Sequence, residues 1–127
     1  MTNDFGTDFA DELTDYVVDG TDLPAASATY YVTLYDDTGT ELNASLQNGR
    51  VGVGNAGWTE TDSNAFENAN EINFGEVTGG STITVQEFAI KDSDADDATA
   101  FEFYRGDISS APQDYTSGTR VFFSAGQ

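Results

Sequence analysis

The sequence predicts a mainly β fold, an antiparallel β-sandwich of jelly-roll-like type with one short N-terminal α-helix. Three observations predict it. Short segments alternate apolar and polar side chains with the two-residue period of a strand that buries one face. Turn-forming Gly, Asn and Asp residues separate these segments at short intervals. One stretch near the N-terminus instead repeats its apolar residues at helical spacing.

The longest strand signal runs over residues 81–104 and predicts a β-hairpin. The alternation through Ile83 and Val85 shifts by one residue to Phe88 and Ile90, which predicts a bulge between the two pairs. An acidic loop follows, and a second alternating segment rich in phenylalanine completes the hairpin. Both strands can therefore lay branched and aromatic side chains onto one core.

A second strand is predicted where the sequence reads TYYVTLYD. Its alternation places Val32 and Leu34 on the core face and Tyr31 and Tyr35 on the opposite face, which we expect to be exposed. Because aromatic residues are enriched at interfaces, Tyr31 and Tyr35 form a candidate subunit contact. The equally weighted alternative is a strand buried on both faces, in which these tyrosines pack inside the protein.

Apolar residues near the N-terminus recur along one helical face, and this stripe consists of Phe5, Phe9, Leu13, Tyr16 and Val17. Aspartates in the early turns and a glycine at residue 20 are typical of the two ends of a helix. A short helix is marginal alone, so we expect the stripe to dock on the sheet or on a neighbouring subunit. The chain is thus predicted to be one domain, with the docking helix in residues 1–20 and the β-sandwich in residues 21–127.

Charge is the strongest compositional signal, because 23 acidic residues against four basic ones give a formal net charge of −19. Phosphate backbones and anionic membranes would repel such a chain, so we expect neither nucleic acid binding nor membrane insertion. In 1 M salt the screening length falls to about 3 Å, which quenches the self-repulsion. Abundant acids with almost no lysine favour adaptation to concentrated salt over an ordinary acidic surface.

Several chemistries are excluded by composition. The sequence has no cysteine and no histidine, which excludes disulfides, thiolate or histidine-activated nucleophiles and the commonest metal ligands. Carboxylate pairs can be drawn anywhere among 23 acids, so they do not indicate a hydrolase. Gly52 and Gly54 near the sole tryptophan, Trp58, lack the lysine and helix of a nucleotide-binding loop. We therefore expect no enzymatic activity.

The N-terminal residues lack the pattern of a secretory signal.

Two polar sites remain as candidates. Asp92, Asp94 and Asp96 alternate in the acidic loop and offer hard oxygen ligands for Ca²⁺ or Mg²⁺. The loop lacks the glycine and the final glutamate of an EF-hand, so a solvated hairpin tip without a cofactor is the favoured alternative. Asn43 begins an Asn-Ala-Ser sequon for N-glycosylation on a predicted turn.

The elements follow one another in a recognisable order, which reads FADELTDYVVDG, TDLP, YYVTLYDDTG, NGRV, EINF, the run over residues 81–92 and TSGTRVFFSAG. In this order they resemble a family of tailed-virus structural proteins often labelled tail-fibre proteins. The resemblance covers nearly the whole chain and rests on pattern, with no chemical signature. It implies a non-enzymatic, oligomeric component of the virion exterior, of tail, fibre or capsid-decoration type, assembled in the host cytoplasm. Together with the acidity, it points to a virus of a salt-loving archaeon.

The expected function is therefore assembly. Copies of the chain would associate with one another and with other virion proteins, and their outer surface would meet the host surface. Closed symmetry is expected, since it also hides the edges of the sheets. The alternative is a secreted adhesion or glycan-binding β-sandwich, with calcium at the aspartate loop and a saccharide near Trp58.

Overall fold

The computed structural model describes residues 4–23, 25–62, 65–94, 100–109 and 111–126. The fold is mainly β, with antiparallel strand pairs and one helix near the N-terminus, which confirms the predicted fold class. No helix in these residues combines the length and the apolar character needed to span a membrane. The elements are β1 Asp4–Phe5, α1 Thr7–Asp19, β2 Thr29–Tyr35, β3 Arg50–Gly54, β4 Trp58–Asp62, β5 Ala65–Asn68, β6 Ile72–Glu76, β7 Ile83–Val85, β8 Glu87–Lys91, β9 Glu102–Asp107, β10 Gln113–Tyr115 and β11 Arg120–Phe123.

The first layer is a five-stranded sheet in the order β1-β9-β8-β2-β3. Its centre is the predicted hairpin of β8 and β9, with the predicted strand β2 beside it. The register pairs Val32 with Ile90 and Leu34 with Phe88, so the apolar residues of both strands share one face. The alternation in the sequence therefore becomes a sheet with one face directed at the core.

Two-stranded ribbons form the second layer, and they pair β6 with β11, β7 with β10, and β4 with β5. The first two ribbons close the core, where Phe74, Val85 and Val121 have no exposed surface. These side chains cluster with Val32 and Leu34 of the five-stranded sheet. The core thus lies between the sheet and the ribbons, as in a sandwich.

The predicted hairpin is shorter than expected. The residues before Gln86 form β7, which pairs with β10 and not with β9. The Gln86 N–H donates to the Tyr35 carbonyl over 2.9 Å. The shift in alternation marks the point where the chain passes from the second layer to the first, so the predicted bulge within one strand is wrong.

Two strand pairings involve segments that lack an alternating sequence. β4 and β5 occupy a polar segment, and β10 lies in the connection between β9 and β11. Most of β4 and β5 is exposed, so burial imposes no alternation on their sequences. The segment after β2 contains a 3₁₀ turn at Asn43–Ser45 and an isolated bridge between Tyr35 and Glu41.

The helix begins at Thr7, later than its apolar stripe predicts. Phe5 lies on β1 instead and pairs with β9, so its assignment to the helical stripe is wrong. Gly6 permits this arrangement, since a Cβ there would stand 2.6 Å from the Glu102 carbonyl oxygen. Gly20 ends the helix in the left-handed conformation at φ 70°, as predicted.

Candidate interaction surface

The first turns of α1 anchor it to the sheet of the same chain. The Asp8 carboxylate accepts a hydrogen bond from the Glu102 N–H over 2.9 Å. The Phe9 ring packs on Phe103, with 5.4 Å between centroids, and Leu13 is half-buried. This half of the predicted stripe therefore docks on β9, one of the two surfaces expected for it.

The last turns of α1 leave apolar side chains exposed. Tyr16 is 51% and Val17 79% exposed. Tyr16 lies on the same side of the helix as Phe9, about two turns and about 10 Å further along. Val18, which is 72% exposed, lies on the opposite side of the helix. Tyr16 and Val17 are thus the part of the stripe that extends beyond the contact with the sheet.

The connector after α1 is exposed and uncharged. From residue 23 to residue 35 the sequence has no charged side chain, although the chain carries 23 acids. Leu23 is 39% exposed, and the alanines of the connector that follow it are exposed as well. The Ser27 N–H donates to the Tyr30 hydroxyl over 3.0 Å, which holds the connector against the sheet.

An aromatic groove of about 240 Å³ opens between α1 and the β4–β5 ribbon. Trp58 and Phe66 meet edge to face at 5.5 Å, and Phe66 meets Tyr104 at 5.7 Å. None of the lining residues is charged, and all but one are aromatic, namely Phe9, Tyr30, Trp58, Phe66, Ile90, Phe103 and Tyr104. An uncharged groove of this kind suits an apolar or aromatic side chain.

An inner cleft of about 280 Å³ adjoins the aromatic groove and reaches toward the core. Trp58, Phe66 and Tyr104 line both spaces. Unlike the groove, the inner cleft also has polar residues in its lining, namely Glu67, Asn68, Asp107 and Ser109. Rings together with a few polar groups are typical of small-molecule sites.

The opposite face of the five-stranded sheet carries a polar network. The Arg50 Nε and Nη2 each donate to the Glu41 carboxylate over 2.8 Å, and Nη1 donates to the Ser93 carbonyl over 3.0 Å. The Thr33 hydroxyl donates to the same carboxylate over 2.6 Å. Burial alone raises the pKa of Glu41, but the hydrogen bonds from Arg50 and Thr33 and the charge of Arg50 bring that pKa below its ordinary value. The network therefore holds Glu41 ionised.

The structure corrects the expectation that Tyr35 is exposed. Tyr35 is only 6% exposed, because the Arg105 guanidinium lies 3.8 Å above its ring and Glu102 holds that guanidinium over 2.6 Å. Tyr31 is half-buried and packs across Gly52. A side chain at residue 52 would place its Cβ 3.1 Å from the Tyr31 ring. Both tyrosines do lie on the sheet face opposite the core. Their role in a subunit contact stays a prediction.

The remaining predicted sites are only partly described. The Asp92 carboxylate accepts a hydrogen bond from the Phe101 N–H over 2.9 Å, Asp94 is exposed, and Asp96 lies outside the described residues. Within the described ranges no three acidic side chains gather as a metal-binding group. Asn43 is half-buried at the start of its 3₁₀ turn. A bound Ca²⁺ or Mg²⁺ and glycosylation of Asn43 both stay predictions.

Comparison of the sequence with protein-family models and with curated proteins found no match. The candidate site is therefore identified by geometry. Tyr16 shares its side of α1 with Phe9, which lines the aromatic groove, and Tyr30 of the groove accepts a hydrogen bond from the connector at Ser27. The end of α1 at Tyr16 and Val17, the connector at residues 23 and 25–28, and the groove are thus linked through Phe9 and Tyr30. We call this combined surface the low-charge face. Sequence reasoning missed its groove, because the lining residues come from segments that share no common pattern.

Proposed function

We propose that this chain is a non-enzymatic structural protein of a virus particle that self-associates on the particle exterior in concentrated salt. The observation that supports self-association is the exposed apolar end of α1, with Tyr16 and Val17 uncovered in a chain of net charge −19. Contiguous exposed apolar patches on protein surfaces mark interaction sites. The viral setting, with other virion proteins and the host surface as partners, is supported by the resemblance to tail-fibre proteins.

Electrostatics makes this association dependent on salt. Two copies that each carry a net charge of −19 repel one another at low ionic strength. In 1 M salt the repulsion is screened beyond about 3 Å, whereas apolar burial at the low-charge face needs no charge and persists. Assembly is therefore favoured in concentrated salt.

We expect a discrete oligomer in molar KCl that dissociates in low salt. Light scattering measures the mass, and circular dichroism reports whether the low-salt form is still folded. Sucrose at matched osmolality is the control, since it strengthens apolar burial without screening charge. A folded monomer in both salt conditions would contradict self-association.

Electron microscopy of virus particles labelled with an antibody to this chain tests the location, and intact particles without label would contradict the viral assignment.

The inner cleft favours a second function, adhesion through glycan binding. Its aromatic wall of Trp58, Phe66 and Tyr104 offers ring faces to the apolar side of a sugar. Glu67 and Ser109 in its lining can exchange hydrogen bonds with hydroxyl groups. This function requires no self-association, so the two proposals separate experimentally.

Glycan binding predicts a saturable change in the fluorescence of Trp58, the sole tryptophan, when a suitable saccharide is added. A glycan array in molar KCl selects the saccharide. Glu67→Gln should then weaken binding about tenfold, the effect of losing roughly one hydrogen bond to a charged group. Glu60→Gln on the exposed strand β4 is the matched control and should bind normally. An array without any bound saccharide would contradict glycan binding.

Calcium dependence of this adhesion is tested separately. A larger rise in melting temperature with Ca²⁺ than with equimolar Mg²⁺ would support calcium-dependent glycan binding.

A further inference from the structure

We propose that two copies of this chain pair about a two-fold axis, with Tyr16 of each copy seated in the aromatic groove of the other. This inference rests on the proposed self-association and names its surface. The occupant of the groove is thus a second copy of the same chain, and the contact is reciprocal.

The projecting side chain and the groove lie on one surface. Phe9 belongs to the helical stripe and also lines the groove. Tyr16 lies on the same side of α1 but about 10 Å further along, too far to fill the groove of its own chain. A two-fold rotation brings each Tyr16 to the partner's groove, because in such an interface the same patch serves both copies. The contact closes on itself and leaves neither groove open.

The size of the groove fits a side chain. Its volume of about 240 Å³ is about eight times the share of one water molecule in the liquid. That space accepts an aromatic ring and a small neighbour such as Val17, but not a helix. The rings of Trp58, Phe66 and Tyr104 offer both edges and faces, so an inserted Tyr16 ring can adopt the edge-to-face geometry that aromatic pairs prefer.

The charge pattern favours a second copy over a basic partner. Two acidic copies repel wherever their carboxylates face each other. The low-charge face reduces this repulsion, because residues 23–35 and the lining of the groove carry no charge. Asp15 and Asp19 flank the end of α1, and their repulsion is screened in molar salt. A basic partner would instead be attracted to the carboxylates elsewhere on the surface. The low-charge face therefore lets like-charged copies approach with little repulsion at its centre.

The composition of the low-charge face matches the centre of an interface. A specific interface buries about 800 Å² on each partner, from roughly 20–30 residues. The end of α1, the connector and the groove supply the apolar centre, and the aspartates of α1 supply the polar rim. Phe66, which is 48% exposed at the groove, would be covered in the pair.

The pairing is tested by measuring the dimer dissociation constant in molar KCl by sedimentation equilibrium. We expect Tyr16→Ser and Phe66→Ser each to raise it about tenfold or more, which corresponds to losing a central aromatic contact. Val18→Ser is the matched control on the other side of α1, and Phe122→Ser, 40% exposed outside the low-charge face, is the control for Phe66. Both controls should stay within about twofold of the unsubstituted chain. Tyr16 is 51% exposed in one chain, and circular dichroism of the Tyr16→Ser monomer checks that the variant is folded.

Mixing the two interface variants gives a sharper test. In a pair of one Tyr16→Ser chain and one Phe66→Ser chain, one contact keeps both an intact Tyr16 and an intact groove. Each variant paired with itself keeps none. We therefore expect the mixture to associate more tightly than either variant alone, and the fluorescence of Trp58 to shift to shorter wavelength as the groove closes.

The outcomes separate the inference from the proposed function. Unchanged association of Tyr16→Ser and Phe66→Ser, in a chain that still forms an oligomer, would overturn the pairing and leave self-association intact. A mass that rises with concentration without a limit would overturn the closed two-fold contact. A monomer at all concentrations in molar KCl would overturn both proposals.

Discussion

Phe74→Ala is expected to lower the free energy of unfolding by about 3–5 kcal/mol. Phe74 has no exposed surface and meets Phe123 edge to face at 6.1 Å. Alanine would leave a cavity between the five-stranded sheet and the ribbons, and close-packed neighbours cannot collapse to fill it. Because the whole domain is stabilised by only about 5–15 kcal/mol, the loss is a large share. Urea unfolding in molar KCl, followed by the fluorescence of Trp58, measures it.

Two substitutions calibrate this result. Phe74→Leu keeps most of the volume and should cost less than about 1.5 kcal/mol. Phe122→Ala removes the same ring from a side chain that is 40% exposed and should cost about 1 kcal/mol or less. Equal losses from Phe74→Ala and Phe122→Ala would contradict the position of the core.

Glu41→Gln is expected to cost about 2–3 kcal/mol. The side chain of Arg50 is only 4% exposed, so the substitution removes the charge of a carboxylate that contacts a buried guanidinium over 2.8 Å. Breaking a fully buried pair costs about 3–5 kcal/mol. The side chain of Glu41 is 17% exposed and glutamine still accepts a hydrogen bond, which lowers the expected loss. Urea unfolding at neutral pH measures it, and Glu71→Gln at the exposed pair with Arg120 should cost less than about 1 kcal/mol.

The same substitution has a signature in the pH dependence of stability. The pKa of Glu41 is lower in the folded protein than its ordinary value, so its ionisation stabilises the fold above the ordinary glutamate range. This stabilisation is lost as the pH falls through the folded pKa. The difference in unfolding free energy between the unsubstituted chain and Glu41→Gln should therefore narrow from neutral to acid pH. A difference independent of pH would contradict the role of the ionised carboxylate.

Burial explains which strands could be predicted from the sequence. Val32 and Leu34 face the core in register with β8, so their period of two is imposed by packing and is visible in the sequence. The sequence of β2 does not show which residues cover its other face, because Tyr35 is buried by Arg105, which is distant in sequence. Alternation assigns a side chain to a face but does not reveal what lies above that face.

Tertiary contacts account for the other differences. Phe5 has helical spacing, but Gly6 brings the backbone against Glu102, and this approach starts the helix only at Thr7. The aromatic groove was not predicted for a related reason. Phe66 lies on a mostly exposed ribbon, where no burial imposes a pattern, so its contacts with Trp58 and Tyr104 arise only in the folded chain.

The strand order also governs how the chain folds while it is being synthesised. It places β1 beside β9, β2 beside β8 and β6 beside β11, so each of these pairs joins a segment made early to one made late. None of the three can close on the ribosome before its later strand emerges, and such non-local pairing is slow. During that interval the apolar faces of β2 and β6 are open to neighbouring nascent chains. The chain is therefore most prone to aggregate in the interval before its last strands have been made.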